Sequence, residues 1–284
     1  MQLLSKRERC IQFVEQHEDY FICPTCHKQL ELQERKSLVC PNGHRFDLAK
    51  KGYIHLLNQS SQTKYDNELF IARRNVMGGS FFEPIIDKLA EITNQFQASK
   101  TIVDAGCGEG SHLHKLQAKL SGEVIGFGLD IAKEGIQQAT SLDSHTAWIV
   151  ADLANCPLAD ESVDFIYNIL SPSNYSEFQR LLKKDGLLLK VIPNREYLSQ
   201  IRELFYENEK EYDNEQTKQL FDEKFSIIQS ERVRYDVKME QPLLNDLIRM
   251  TPLSWSASEE QLKKVQDITE QTITVDVTIL IGRK

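Results

Sequence analysis

At 284 residues, with 40% hydrophobic content and a net charge of −8, the chain can build one large core or a main domain with a small attachment. The acidic balance excludes a bulk polyanion binder, which needs a broadly basic surface. No run of about 18 apolar residues occurs and the opening lacks the apolar stretch of a signal peptide, so no membrane span is expected and the expected location is cytoplasmic.

The first predicted element is a short amphipathic helix over residues 5–18, where Cys10, Phe13 and Val14 recur among charged residues at helical spacing. From Tyr20 to Leu57, short apolar pieces broken by CPTC and CPNGH predict small β-hairpins joined by tight knuckles, a unit without its own core. Residues 58–68 are polar and aperiodic and read as a linker, followed by a helix over 69–76. The expected division is an N-terminal helix and zinc-binding module over 1–60, a linker and helix over 61–80, and a main domain over 81–284.

Within the main domain helices and strands alternate. Helices are predicted over 82–96, 111–119, 133–140, 174–183 and 195–206, and strands over 101–106, 123–130, 147–152, 163–170 and 186–192. Strands separated by helices predict a parallel sheet covered on both faces, an α/β fold. Two further strands, near 225–238 and 272–281, follow, and the β-branched run TITVDVTILI suits an antiparallel addition.

Three of the six cysteines, Cys23, Cys26 and Cys40, crowd into one segment, which suggests metal ligation more than disulfides. Cys23-Pro-Thr-Cys26 and Cys40-Pro-Asn-Gly-His44 form two knuckles, each able to aim two ligands at one ion, and three thiolates with one imidazole suit tetrahedral zinc. Gly43 permits the tight turn that brings His44 beside Cys40, whereas His27 directly follows Cys26 and ranks below His44 as a ligand. Four protein ligands leave no open position, so this zinc is expected to be structural.

The chemistry is expected in the main domain. Val103-Asp104-Ala105-Gly106-Cys107-Gly108-Glu109-Gly110 follows a predicted strand and opens a helix, so a ligand can approach the bare backbone. The spacing is G-x-G-x-G, and Asp130, with Ile131 after it, ends the next strand about twenty residues on, where a carboxylate reaches ribose hydroxyls. Asp152 ends the third strand, placing it beside an adenine with the Leu153 amide. That arrangement suits S-adenosylmethionine better than a dinucleotide. Each acid also has a plainer use as a helix cap or turn residue, most evenly balanced at Glu109. Cys107 lacks a paired base and is read as packing.

Asn168-Ile169-Leu170-Ser171-Pro172 follows the fourth strand, where acceptor-binding loops occur. Asn168 and Ser171 are therefore candidate contacts to an acceptor base and Asn168 also to the cofactor, the alternative for Asn168 being satisfaction of backbone groups at the strand end. Residues 20–60 hold six Lys and Arg against three Asp and Glu, so any nucleic acid is expected to meet the N-terminal module first. The candidates for RNA contact are Lys28, Arg45, Lys50 and Lys51, with Arg73 and Arg74 either contacting phosphate, bridging the domains or lying on a helix surface.

FICPTCHKQL, CPNGHRFDLAKKGYIHLL, ARRNVM, DAGCGEG, GLDIAK and MTPLSW, spread over nearly the whole chain, resemble the RlmA family of large-subunit ribosomal RNA guanine-N1 methyltransferases. The resemblance implies a class I Rossmann-like S-adenosylmethionine methyltransferase domain with a small N-terminal zinc-ribbon module ligated by Cys23, Cys26, Cys40 and His44. It implies that Phe82, where the family shows tyrosine, covers the cofactor, that Ser111 and His112 replace aromatic residues after G-E-G, and that Tyr197 approaches the cofactor. It further implies 23S rRNA as partner, N1-methylguanine as product and a possible homodimer. The competing expectations are a methyltransferase acting on tRNA or a small molecule, and a non-catalytic zinc-containing RNA-binding scaffold.

Overall fold

The computed structural model describes residues 4–57, 65–96, 100–142, 145–206, 214–255 and 257–284. Of the predicted linker, residues 58–64 lie outside the described residues.

Helix α1 (Lys6–Gln16) is started by Ser5, whose side chain accepts a hydrogen bond from the Glu8 amide at 3.2 Å. Three short antiparallel strands, β1 (Glu31–Gln33), β2 (Ser37–Val39) and β3 (Arg45–Asp47), follow as a separate small sheet. The next strand, β4 (Ile54–His55), leaves that sheet and pairs in parallel with the edge of the large one, Ile54 opposite Ile149 and His55 opposite Val150. Helix α2 (Asn67–Gly78) is capped by Asp66, which accepts from the Leu69 amide at 2.7 Å.

Helix α3 (Glu83–Asn94) leads into β5 (Lys100–Ala105), α4 (Ser111–Gln117), β6 (Val124–Asp130), α5 (Lys133–Ala139), β7 (Thr146–Val150), β8 (Val163–Ile169), α6 (Tyr175–Leu181) and β9 (Leu182–Pro193). Helices α7 (Ser199–Phe205) and α8 (Glu215–Lys224), β10 (Ser226–Glu240), α9 (Leu243–Met250), α10 (Glu259–Gln266) and β11 (Glu270–Arg283) complete the chain. The eight-stranded sheet runs β10-β11-β9-β8-β5-β6-β7-β4, with β4 to β9 parallel and β10 and β11 antiparallel. The strand order reverses at β5, and at such a switch point the carboxyl ends of the strands open a crevice for ligands.

The central strands are buried throughout because both faces are covered, whereas β10, at the sheet edge, mostly alternates exposed and half-buried positions. Alternate residues of β9 feed opposite cores: Leu187, Leu189 and Val191 on one face, Leu188 and Ile192 on the other. The apolar side chains of the N-terminal module join the second core. Phe13 and Phe21 pack on Phe127 with ring centroids 5.4 and 5.9 Å apart, and the Leu56 amide bonds Val150 O at 2.9 Å. Two predicted boundaries shift. Strand β9 begins directly at Leu182, accommodated by a register shift against β8, and the helix predicted from 195 begins only at Ser199, because Leu198 takes a left-handed φ of +53°.

Candidate active site and metal centre

The glycine-rich turn sits at the carboxyl end of β5. Gly106, Gly108 and Gly110 have φ of +86°, +57° and +84°, a backbone path that side chains with a β-carbon rarely follow. The Gly106 and Cys107 amides both donate to Leu129 O, at 2.9 and 3.0 Å. Asp130 ties the turn to the end of β6: one carboxylate oxygen accepts from the Gly108 amide at 2.7 Å and the other from the Ala132 amide at 2.8 Å. Each oxygen keeps a second lone-pair direction for a ligand hydroxyl. Ile131 beside it is half-buried.

Around the turn lie buried polar atoms with no hydrogen-bond partner: Asp104 Oδ2, Glu109 Oε1 and His112 Nε2. Such atoms are costly in a folded interior and mark where a polar ligand is complementary. Burial pushes the Asp104 carboxyl up to about 7, with Asp130 and Glu109 adding to the rise and Arg73 opposing it. Burial drives the His112 imidazole well below its ordinary value, helped by Arg73 and Lys115, so it stands neutral. The Cys107 thiol is raised well above its usual range by burial and by Asp104, Asp130 and Glu109, which suits packing and not nucleophilic attack. The unpartnered Asp104 oxygen, the neighbouring Asp130 carboxylate and a bare glycine turn fit a cationic nucleoside such as S-adenosylmethionine. When bound, that molecule supplies an electrophilic methyl group.

Glu109 is fully buried. Its carboxylate accepts from the Ser111 amide at 3.1 Å and from the Ser111 hydroxyl, and it faces Arg73 Nε at 3.4 Å and Arg74 Nε at 3.7 Å. Arg73 also reaches His112 Nδ1 at 3.3 Å, while Arg74 donates to Glu109 O and Gln138 O, each at 2.9 Å. Helix α2 thus lays the guanidinium groups of both arginines, expected as RNA contacts, over the glycine turn and leaves each side chain partly exposed.

A cavity of about 670 Å³ opens beside the turn, lined by Phe82, His112, Ser171, Lys190, Tyr197 and Arg202 among others. Phe82 is buried against His112 in an edge-to-face contact at 5.2 Å. Asn168, expected as an acceptor or cofactor contact, is bonded within the fold. Its amide donates to Ala105 O at 2.9 Å and Pro172 O at 3.0 Å, and its oxygen accepts from Ser173 at 2.8 Å and Lys190 at 2.6 Å, so its bonding capacity is filled by the fold. Asp152 is exposed at the end of β7 with Oδ1 accepting from the Ala154 amide at 2.8 Å, and Leu153 is half-buried.

The residue that sequence reasoning missed is Lys190, 5% exposed and facing this cavity. Its signal was present, a lysine interrupting the otherwise apolar run GLLLKVI.

In the N-terminal module, the ligand atoms of Cys23, Cys26, Cys40 and His44 all lie within 4.8 Å of one another, the metal-sized cluster among the described residues. Cys26 Sγ stands 3.6 Å from Cys40 Sγ, and His44 Nδ1 lies 3.4 Å from Cys23 Sγ and 3.3 Å from Cys40 Sγ. A tetrahedron with zinc–sulfur bonds of about 2.3 Å has edges of about 3.7 Å, so the four residues fit zinc and leave no open position. Gly43, at φ +82°, makes the second knuckle, while His27 is turned outward at φ +55° and is exposed. Although burial opposes it, amide hydrogen bonds from His44 and Asn42 and contacts with Cys26 and His44 bring the Cys40 thiol down to about 6. Lys28, Arg45, Lys50 and Lys51 are exposed on the same module, Lys28 bonding Asn42, Arg45 bonding Ser37 and Lys51 bonding Gln137 of α5.

A doubly wound sheet with its ligand turn after the first parallel strand, closed by an antiparallel pair, defines the class: a Rossmann-like S-adenosylmethionine-dependent methyltransferase fold, here with a zinc ribbon docked on its edge. Comparison with known proteins agrees. Residues 21–64 match the zinc ribbon described as RlmA, N-terminal, and residues 102–186 match the Methyltransferase domain family. The chain is 39% identical over 273 residues to the protein named "Putative 23S rRNA (guanine-N(1)-)-methyltransferase YxjB" of Bacillus subtilis (strain 168), covering 93% of this chain and 97% of that protein. It is 26% identical over 270 residues to the 23S rRNA (guanine(748)-N(1))-methyltransferase of Streptomyces fradiae, covering 92% and 96%. The solved structure of the [4+2]-cyclase SpnF aligns with a TM-score of 0.52 at 14% identity, over 77% of this chain and 93% of that one, a likeness of fold alone. The chain belongs to the RlmA family of 23S rRNA (guanine-N1)-methyltransferases.

Proposed function

We propose that this protein transfers the methyl group of S-adenosylmethionine to N1 of a guanine in a 23S rRNA hairpin, working in the cytoplasm. The observation that carries the reading is the adjacency of two spaces: the glycine turn with the unpartnered Asp104 oxygen, and the cavity that Ser171 and His112 line next to it. Transfer of a methyl group to nitrogen is an in-line displacement, which requires donor and acceptor held about 3 to 3.5 Å apart with water excluded. A guanine must leave its stack to reach such a recess. Asp104, Asp130 and the turn backbone hold the donor, with Asp152 and Leu153 at the adenine end and Phe82 and Tyr197 along its side. Ser171 faces the acceptor. Cys23, Cys26, Cys40 and His44 hold a structural zinc, and Lys28, Arg45, Lys50 and Lys51 meet the RNA backbone, positioning it without reading its sequence. The reading is tested by digesting 23S rRNA from a deletion strain and its complemented parent and analysing nucleosides by mass spectrometry. N1-methylguanine lost on deletion and regained on complementation is expected; an unchanged profile refutes it.

A further inference from the structure

Lys190 stands in the middle of a sheet, in β9, between Asn168 of β8 and Leu280 of β11, neither of which titrates. A lysine so placed is usually paired with a carboxylate. Here its ammonium donates to Asn168 Oδ1 at 2.6 Å, Ser173 Oγ at 2.6 Å and Ser171 O at 3.3 Å, all neutral acceptors. Asn168 lies near the end of β8, and Ser171 and Ser173 belong to the loop after it, whose Ser171 presses against Gly106. The charged and titratable groups lining the cavity with Lys190 are Arg73 from α2, His112 from α4, Tyr175 from α6, and Tyr197 and Arg202 from the segment after β9. No carboxylate lines the cavity among the described residues; Arg73 is paired with Glu109 behind the wall, while Lys190 meets only neutral acceptors. A buried positive charge without a counter-charge stabilises groups that become anionic near it.

We propose that Lys190 is a positioning residue for methyl transfer: its ammonium pins the loop after β8 and supplies the uncompensated positive charge that favours the N1-deprotonated form of the acceptor guanine. The inference rests on the guanine-N1 reading above. In the step, the N1 proton leaves to solvent water and the N1 lone pair forms the new nitrogen–carbon bond. The carbon–sulfur bond of the donor breaks with its electron pair kept on sulfur, so an anion and a sulfonium give two neutral centres. A dedicated general base is then unnecessary, in keeping with the lack of Asp or Glu among the described lining residues. Burial brings the Lys190 ammonium down to about 8, within reach of a pH titration.

The test is the pH dependence of single-turnover methylation of a 23S rRNA hairpin by the full chain, for the wild type, K190Q and K190R, with cofactor affinity measured alongside. The wild type is expected to give a bell, rising as guanine N1 ionises and falling near pH 8 as Lys190 loses its proton, the two limbs belonging to the coupled pair. In K190Q the rate drops at least tenfold at neutral pH and the falling limb vanishes, while cofactor affinity stays within about twofold. In K190R, whose guanidinium does not titrate, the rate is largely rescued and the falling limb is absent. A wild-type rate that keeps climbing to about pH 9.5 overturns the proposal, as does a K190Q profile that merely parallels the wild type at every pH. If K190Q does not fold, the same falling limb in K190R and wild type overturns it. Absence of N1-methylguanine from the wild-type reaction sinks the functional reading instead, and the two failures are thereby distinguished.

Discussion

A β-carbon on Gly106 would lie 1.9 Å from Ser171 Oγ, so the glycine turn after β5, proposed to receive the methyl donor, and the loop after β8 are in direct contact. Gly106 also has a φ of +86°. Gly106→Ala therefore strains the backbone, by about 1–3 kcal/mol, and displaces Ser171 as well. Calorimetric titration with S-adenosylmethionine should show binding weakened more than tenfold, with a lowered melting temperature. Unaltered affinity would mean that the donor does not use this turn.

The buried Glu109 carboxylate depends on two arginines from α2. Removing the only partner of a buried charge costs about 3–5 kcal/mol. Because one arginine remains, Arg74→Ala should destabilise the protein by roughly 1–3 kcal/mol in urea unfolding. Arg74→Ala combined with Glu109→Gln should cost less than the sum of the single changes, since the charge and its partner then disappear together. Strict additivity would show that the three side chains are not coupled.

The zinc ribbon shares its core with the large sheet through Phe13, Phe21 and Phe127, and β4 pairs with β7. Cys40→Ala is expected to reduce bound zinc to well below one equivalent by metal analysis. It should also lower the melting temperature of the whole chain and not only that of residues 1–60. A main transition indistinguishable from wild type would show that the ribbon's packing adds little to the sheet.

The Asp104 carboxyl titrates at about 7, raised by burial from an ordinary value near 4. Between those values the folded protein holds a proton that the unfolded chain has lost, so the ligand-free protein loses stability as pH rises from about 4 to 7. A cationic ligand reverses the preference by favouring the ionised carboxylate. S-adenosylmethionine affinity should therefore climb between about pH 6 and 8 and level off, and the climb should be much reduced in Asp104→Asn. Equal pH dependence in the two proteins would remove Asp104 from the donor site.

Much of this fold was legible because its signals are local. The runs TIVDAG and VDFIYNIL read as covered strands, GCGEG as a turn whose bare backbone a ligand can approach, and the two cysteine knuckles as one tetrahedron. What escaped depends on which neighbours the chain brings together. Nothing near Arg73 and Arg74 in sequence says that they close over Glu109, more than thirty residues away. Asn168 looked like an acceptor contact because of where it follows β8, and only tertiary partners from β5, β9 and its own loop reveal a saturated structural amide. Lys190 lies in a strand whose pattern labels it core, and its proposed role depends on the neutral acceptors around it and on the lack of a carboxylate among the described lining residues, which a sequence cannot display.

The most direct test is a crystal structure grown with S-adenosylhomocysteine. The account predicts the nucleoside against Gly106–Gly110, with its ribose hydroxyls on Asp130, its adenine toward Asp152 and Leu153, and its sulfur facing the cavity bounded by Ser171 and Lys190. A ligand bound elsewhere, or a turn packed shut by its own side chains at saturating ligand, would contradict it.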